Sequence, residues 1–301
     1  MSNTTANLRR TIDSAGDLQG VVRTMKALAA SSVGQYETSV RALAEYYRTV
    51  ELGLAACFRD AGLALAVERG RRVKAAAGTI RAVVFGSDQG LVGQFNDIVA
   101  DYTIKTLAAL PGKAEVWAVG ERVHARLQDA GVPPIGQFSV PNSIGAIVPL
   151  IGEILVATDP PHGAVTELHL FYNRPMSSAA YVPATQQLLP LDEAWHRRLA
   201  VLRWPSGNIP ELINDGPVCL RTLIREYLFI SLFRACAESL ASENTSRLAA
   251  MERADRNIDE LLENLQARFH RLRQSDIDEE LFDVISGFEA LILPAATIPK
   301  N

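Results

Sequence analysis

From Val218 to Leu293 the chain runs 76 residues without a proline and with one glycine, Gly287. These are the two residues that most readily end a helix, and the span is rich in Ala, Leu, Glu and Arg. It is therefore predicted to be one very long helix. At about 1.5 Å of rise per residue such a helix would reach roughly 110 Å, several times the diameter of a globular domain, and it cannot fold back on itself as a compact core. Its apolar positions include Leu248, Met251, Ile258, Leu262, Leu265, Phe269 and Leu272, and the last five are spaced in alternating steps of four and three. That spacing is a coiled-coil seam, and a seam requires a partner.

The partner is sought at the other end of the chain. Leu8 to Val67 is also free of proline, with apolar residues at Leu18, Val21 or Val22, Met25, Leu28 or Ala29, and then Val40, Leu43, Tyr46 or Tyr47, and Val50. The expectation is that the two terminal helices pair antiparallel and that everything between them is an insertion. Gly16, Gly20, Gly34, Gly53 and Gly62 interrupt the first helix. Each costs about 1 kcal/mol relative to alanine, and they serve either close helix approach or kinks.

Between the ends the period changes. Thr79–Phe85 (TIRAVVF) reads as a strand, the glycine loop through Asn96 follows, and Asp97 to Leu110 reads as a helix. Strand, glycine loop and helix open a doubly wound unit. Further strands are expected at 115–119, 135–140, 165–172 and 185–189, and helices at 121–129 and 143–158. Residues 190–217, with Trp195, Trp204, Pro205, Pro210 and Pro217, read as an irregular connection. The predicted organisation is an N-terminal coiled-coil helix over 1–70, an inserted Rossmann-like α/β domain over 75–192, a connection over 193–217, and a C-terminal helix and tail over 218–301.

Composition narrows the function classes. The chain is 48% apolar and 21% charged, with a net charge of -4. It lacks the basic footprint of a nucleic-acid binder. Its first ten residues have no apolar core, which reads against a secretory signal. The nearest approach to a membrane span, Ile144 to Ala157, contains Pro149 and Glu153. Cys57, Cys219 and Cys236 have no CxxC spacing and read as reduced thiols.

The loop holding Gly86, Gly90 and Gly93 is the one stretch that resembles a phosphate cradle. Its spacing is G-x-x-x-G-x-x-G rather than the dinucleotide fingerprint. It is nearer the loop of short-chain dehydrogenases, which also need a Tyr and a Lys four residues apart. Tyr102 and Lys105 are three apart, so tight turns and strand–helix packing are the expected role of the glycines. His124, His162, His169, His196 and His270 show no metal spacing. The acids Asp276, Glu279, Glu280 and Asp283 form a helical stripe that reads as a solvated or partner-facing surface. No catalytic residue, cofactor or metal is predicted. Beyond Leu272 the last helix is apolar around most of its circumference (Ile277, Leu281, Phe282, Val284, Ile285, Phe288, Leu291, Ile292, Leu293), an exposed surface that needs another protein.

Five ordered stretches resemble the gamma subunit family of F-type ATP synthases, the central rotor stalk. They are VVRTMKALAA near the start, GSDQGLVGQFN, NRPMSSAAYVPATQQLLPL, ESLASENTSRLAAM, and RQSDIDEELFDVISG near the end. The resemblance implies a non-catalytic rotor subunit, peripheral on the cytoplasmic side of the inner membrane. Its partners would be three alpha and three beta subunits, an epsilon subunit and the membrane c-subunit ring. Carried over position by position, it implies that Arg23, Met25 and Lys26 face the moving lever of the beta subunits, and that Arg273, Gln274, Glu280 and Leu281 lie where the stalk meets the upper ring. The chain departs from the family pattern in a first helix diluted by Asp13, Asp17 and Gln19, in the segment RWPSGNIPELINDG, and in the ending FEALILPAATIPKN. These departures imply a divergent or alternative, sodium-type member. Two readings from other classes stand beside this one: a short-chain-dehydrogenase-like nucleotide-binding enzyme with helical extensions, and a scaffold coiled coil that self-associates.

Overall fold

Strand β1, Thr79–Phe85, is buried along almost its whole length, and this explains its unbroken β-branched and apolar run: a central parallel strand is covered on both faces. In the computed structural model the described residues are 4–59, 79–158, 166–176, 180–191, 193–208, 210–211 and 216–292. Among them the elements follow in the order α1 (Thr5–Arg59), β1, α2 (Phe95–Ala109), β2 (Ala114–Val119), α3 (Glu121–Asp129), β3 (Gly136–Phe138), α4 (Ile144–Ala157), β4 (Thr166–Pro175), β5 (Tyr181–Leu189), α5 (Glu193–Val201) and α6 (Gly216–Ile292). The chain divides into two compact units, one formed by Ala27–Ala250 and the other by Met1–Lys26 with Met251–Asn301.

The first unit contains a sheet of strand order β3-β2-β1-β4-β5. β1 is parallel to both β2 and β4, β2 is parallel to β3, and β5 closes the edge antiparallel to β4. Side chains alternate across the sheet. Ile80, Ala82 and Val84 pack with Val99 and Leu107 of α2 and with Val123 and Leu127 of α3. Val83 and Phe85 belong to a second core with Leu168, Leu170 and Tyr172 of β4, with Ile147, Ile151 and Ile154 of α4, and with the apolar faces of α1 and α6. Helices thus cover both faces of the sheet, as a doubly wound domain requires.

Within this unit α1 and α6 run antiparallel. Tyr46 Oη donates to Glu226 Oε2 at 2.8 Å. A Cβ placed on Gly53 would sit 3.2 Å from Leu223, and the Cys57 thiol donates to Cys219 Sγ at 3.8 Å. As the number rises along α1, that of its partner falls along α6. Gly53 is thus a point of close helix approach, whereas Gly16, Gly20 and Gly34 face open space. Gly62 lies outside the described residues.

The connection is not irregular throughout, because it holds α5. Trp195 and Leu199, four residues apart, are both buried. Trp195 stacks edge-on against Phe58 at 5.8 Å and Tyr227 at 5.3 Å. The segment EAWHRRLAV is a short amphipathic helix whose signal is masked by the prolines that follow it.

In the second unit the same antiparallel sense holds: Gln19 donates to Asp259, and Lys26 pairs with Asp255. The seam of α1 keeps two of the expected alternatives, Val22 and Ala29, and corrects Leu18, Val21 and Leu28. Leu8, Ala15 and Val22 in this unit, and Ala29 and Tyr36 in the first, are buried at intervals of seven, whereas Leu18 and Val21 here and Leu28 in the first unit are 54%, 56% and 64% exposed. The phase is ambiguous from sequence because the buried row alternates Leu8, Val22 and Tyr36 with the small Ala15 and Ala29, and Gln19 is buried beside it. The opposite seam follows the expected residues, with Met251, Ile258 and Leu265 buried at intervals of seven.

Candidate functional site

The glycine loop is built from its own hydrogen bonds. The Ser87 N–H donates to Asn96 Oδ1 at 3.0 Å, Asn96 Nδ2 donates back to Ser87 Oγ at 2.8 Å, and Ser87 Oγ donates to the Gln89 carbonyl at 2.9 Å. The Asp88 carboxylate accepts the N–H of Glu121 at 3.0 Å and that of Val140 at 2.8 Å. It therefore caps the first turn of α3 with a negative charge, where an incoming phosphate would be repelled. On the other side Ser246 of α6 donates to the Val92 carbonyl at 2.6 Å. A Cβ on Gly86 would collide with Val123 and lie 2.8 Å from Asn96 Oδ1, and Gly93 has φ 58, in the left-handed region. These two glycines serve close packing and a turn. The loop is a joint between the sheet and the last helix. Tyr102, considered with Lys105 for a dehydrogenase pair, packs edge-on against Phe171 at 6.3 Å.

Next to this joint, α6 carries a buried polar face. Glu243 accepts from Arg247 Nη2 at 2.7 Å, and Glu238 accepts from Arg234 Nε at 2.6 Å and Arg174 Nε at 3.4 Å. Burial pushes the Glu243 carboxyl above its ordinary range, against the opposing pull of Arg247. His169, also buried, is bonded through Nε2 to Glu167 at 3.0 Å. Among the described residues no cluster of three or more His, Cys, Asp or Glu is arranged to hold a metal ion. Among them, too, no helix is long and apolar enough to cross a membrane.

In the unit formed by the two chain ends, two of the residues singled out from sequence converge on one carboxylate. Arg23 Nε lies 3.1 Å and Lys26 Nζ 3.8 Å from Asp255, and Arg23 also pairs with Asp259 at 3.6 Å. Gln19 Nε2 donates to Asp255 Oδ1 at 3.2 Å. Desolvation raises the Asp255 carboxyl, but Arg23, Gln19 and Lys26 together outweigh it, and the group titrates below its ordinary value. Met25 is half-buried beside them. From sequence Gln19 stands out only as a departure from the family pattern, and Asp255 and Asp259 do not stand out. Their signal is positional: Asp255 falls four residues after Met251 and three before Ile258, on the seam itself.

Arg273, Gln274, Glu280 and Leu281 are not drawn into any cluster; all four are exposed on α6. From Arg273 through Phe288 every residue of the helix is exposed, including Ile277, Phe282, Val284 and Ile285. The acids Asp276, Glu279, Glu280 and Asp283 share that exposure.

The geometry defines a class: terminal helices paired antiparallel, a doubly wound domain inserted between them, and an exposed apolar end on the longer helix. The sequence model of the family described as ATP synthase matches residues 4–291, and the chain belongs to that family. It is 27% identical over 293 residues to the ATP synthase gamma chain of Moorella thermoacetica, covering 95% of this chain and 98% of that one. It is likewise 27% identical over 310 residues to the ATP synthase gamma chain of Syntrophus aciditrophicus, covering 95% and 97%. In solved structures the same fold occurs in the rotor of the Euglena gracilis mitochondrial ATP synthase, with a TM-score of 0.60 at 16% identity over 91% of this chain and 98% of that one. It occurs again in the central stalk of the Tetrahymena thermophila mitochondrial ATP synthase, with a TM-score of 0.55 at 18% identity over 78% and 99%.

Proposed function

We propose that this chain is the central-stalk rotor of an F-type ATP synthase, coupling ion flow through a membrane c-subunit ring to ATP synthesis or hydrolysis at three alpha and three beta subunits. The observation that carries this reading is the run from Arg273 to Phe288, where α6 continues with its apolar residues in solvent. Exposed apolar residues gathered on one stretch of helix, here Ile277, Leu281, Phe282, Val284, Ile285 and Phe288, mark a surface that a partner covers. A ring of alpha and beta subunits closed around it would form such a cover. The chain itself is non-catalytic in this reading. It acts as a cam, because a contact made with one beta subunit and absent from the next shifts their conformational equilibria differently. Arg23, Met25 and Lys26 would touch the lever of a beta subunit, and Arg273, Gln274, Glu280 and Leu281 the upper ring. An epsilon subunit and the c ring would bind the inserted domain, leaving the protein peripheral on the cytoplasmic face of the inner membrane.

Co-expression with alpha and beta subunits tests this. One copy should purify with three of each, and the complex should hydrolyse ATP at steady state while the chain alone hydrolyses none. ATPase activity in the isolated chain, or an alpha–beta assembly indifferent to its presence, would overturn the reading.

A further inference from the structure

Cys57 lies near the end of α1 and Cys219 in the first turn of α6. Their sulfurs are 3.8 Å apart, with the Cys57 thiol donating to Cys219 Sγ. Cys57 is fully buried and Cys219 only partly so. Both sit on helices packed into one core, so their backbones are held in place while the sulfurs touch. A disulfide needs a separation of about 2.0 Å, so the two side chains must turn toward one another to close the remaining gap. Cys236 is set apart: it is buried in the core, and burial together with Glu243 pushes its thiol upward, so it stays protonated and inert.

We propose that Cys57 and Cys219 form an oxidisable dithiol, a modification site that converts reversibly to a disulfide and ties the end of the first helix to the start of the last. The oxidant is a hydroperoxide. The more accessible Cys219, as thiolate, attacks the peroxide oxygen, giving a sulfenic acid and releasing the alcohol or water once a proton is taken up. The sulfur is oxidised and the peroxide reduced. The Cys57 sulfur then attacks the sulfenic sulfur, the S–S bond forms, and the hydroxyl leaves with the Cys57 proton as water. A dithiol reductant restores both thiols by exchange. The closed state encloses residues 57–219, and with them the whole sheet, in one covalent loop, so the paired helix ends can no longer separate.

The full-length chain, treated with hydrogen peroxide and digested without reductant, should yield a peptide pair joining Cys57 to Cys219, lighter by two hydrogens than the sum of its parts. That product should arise within single chains, vanish on treatment with dithiothreitol, vanish in Cys57→Ser and in Cys219→Ser, and persist in Cys236→Ser. Oxidation that stops at sulfenic or sulfinic acid on Cys219, a link to Cys236, a link only between chains, or a chain left unmodified would overturn the proposal.

Discussion

Gln19 and Asp255 face one another across the seam of the terminal helices, with Gln19 Nε2 donating to Asp255 Oδ1 at 3.2 Å. Gln19 is buried, in a row otherwise made of Leu8, Ala15, Val22 and Ala29, and the Asp255 side chain is only 16% exposed. A polar pair inside a coiled-coil seam costs stability but specifies register, because a slip of one heptad strands each group against an apolar neighbour. This pair fixes which turn of α6 meets which turn of α1, and it holds Arg23 and Lys26 in place.

Asp255→Asn should lower the thermal midpoint at neutral pH by removing the charge that Arg23 and Lys26 engage. The folded carboxyl titrates below its ordinary value of 3.8, so its contribution is present above that pH and is lost as pH falls through the lower folded value. Thermal melts of wild type and variant should therefore differ at neutral pH and converge only in acid below the lowered folded value. A gap that persists in acid would mean that the amide disturbs packing rather than charge.

The architecture was legible because it rests on long-range punctuation. The absence of proline over 218–293, the change of period at Thr79, and the glycine loop together mark two helices and an inserted α/β domain. The phase of the first seam was not legible. Apolar residues stand at both Leu18 and Val22, and only the facing helix decides between them: it buries Val22 and leaves Leu18 in solvent. The polar pair was hidden for a related reason, since a buried glutamine reads as a surface residue until its carboxylate partner is seen 236 positions away. Helix α5 was obscured by the prolines after it, although Trp195 and Leu199 already had helical spacing.

Gly86 and Gly90 should respond differently to alanine. Gly86→Ala drives a methyl group into Val123 and to 2.8 Å from Asn96 Oδ1, whereas the nearest atom to a Cβ at Gly90 is the Arg122 guanidinium at 3.9 Å. Overpacking of this kind costs about 1–3 kcal/mol, so urea unfolding should show a loss of that order for Gly86→Ala and little change for Gly90→Ala. Equal tolerance at both positions would contradict the packing account of the loop.

Trp195→Ala should destabilise the inserted unit by about 3–5 kcal/mol, the usual cost of removing a large buried aromatic. The ring is 6% exposed and lies between Phe58 and Tyr227. Denaturant melts followed by near-ultraviolet dichroism check the loss. A change within 1 kcal/mol would mean that α5 is not part of the core as described.

At the exposed end, Leu281→Asp and the charge reversal Arg273→Glu with Glu280→Lys should leave the isolated chain as stable as wild type, since all three side chains are in solvent. Assembly with alpha and beta subunits should weaken in the leucine variant, and ATP-driven coupling should fall in the charge-reversed one. Melting curves of the chain and recovery of the complex separate these outcomes from simple misfolding.

The most direct test fixes an alpha–beta ring containing this chain to a surface through its beta subunits and attaches a probe to the end of α5, at exposed Val201. With ATP present the probe should turn in one direction, in three equal steps per revolution. Steady ATP hydrolysis with a motionless probe would contradict the rotor account at its centre.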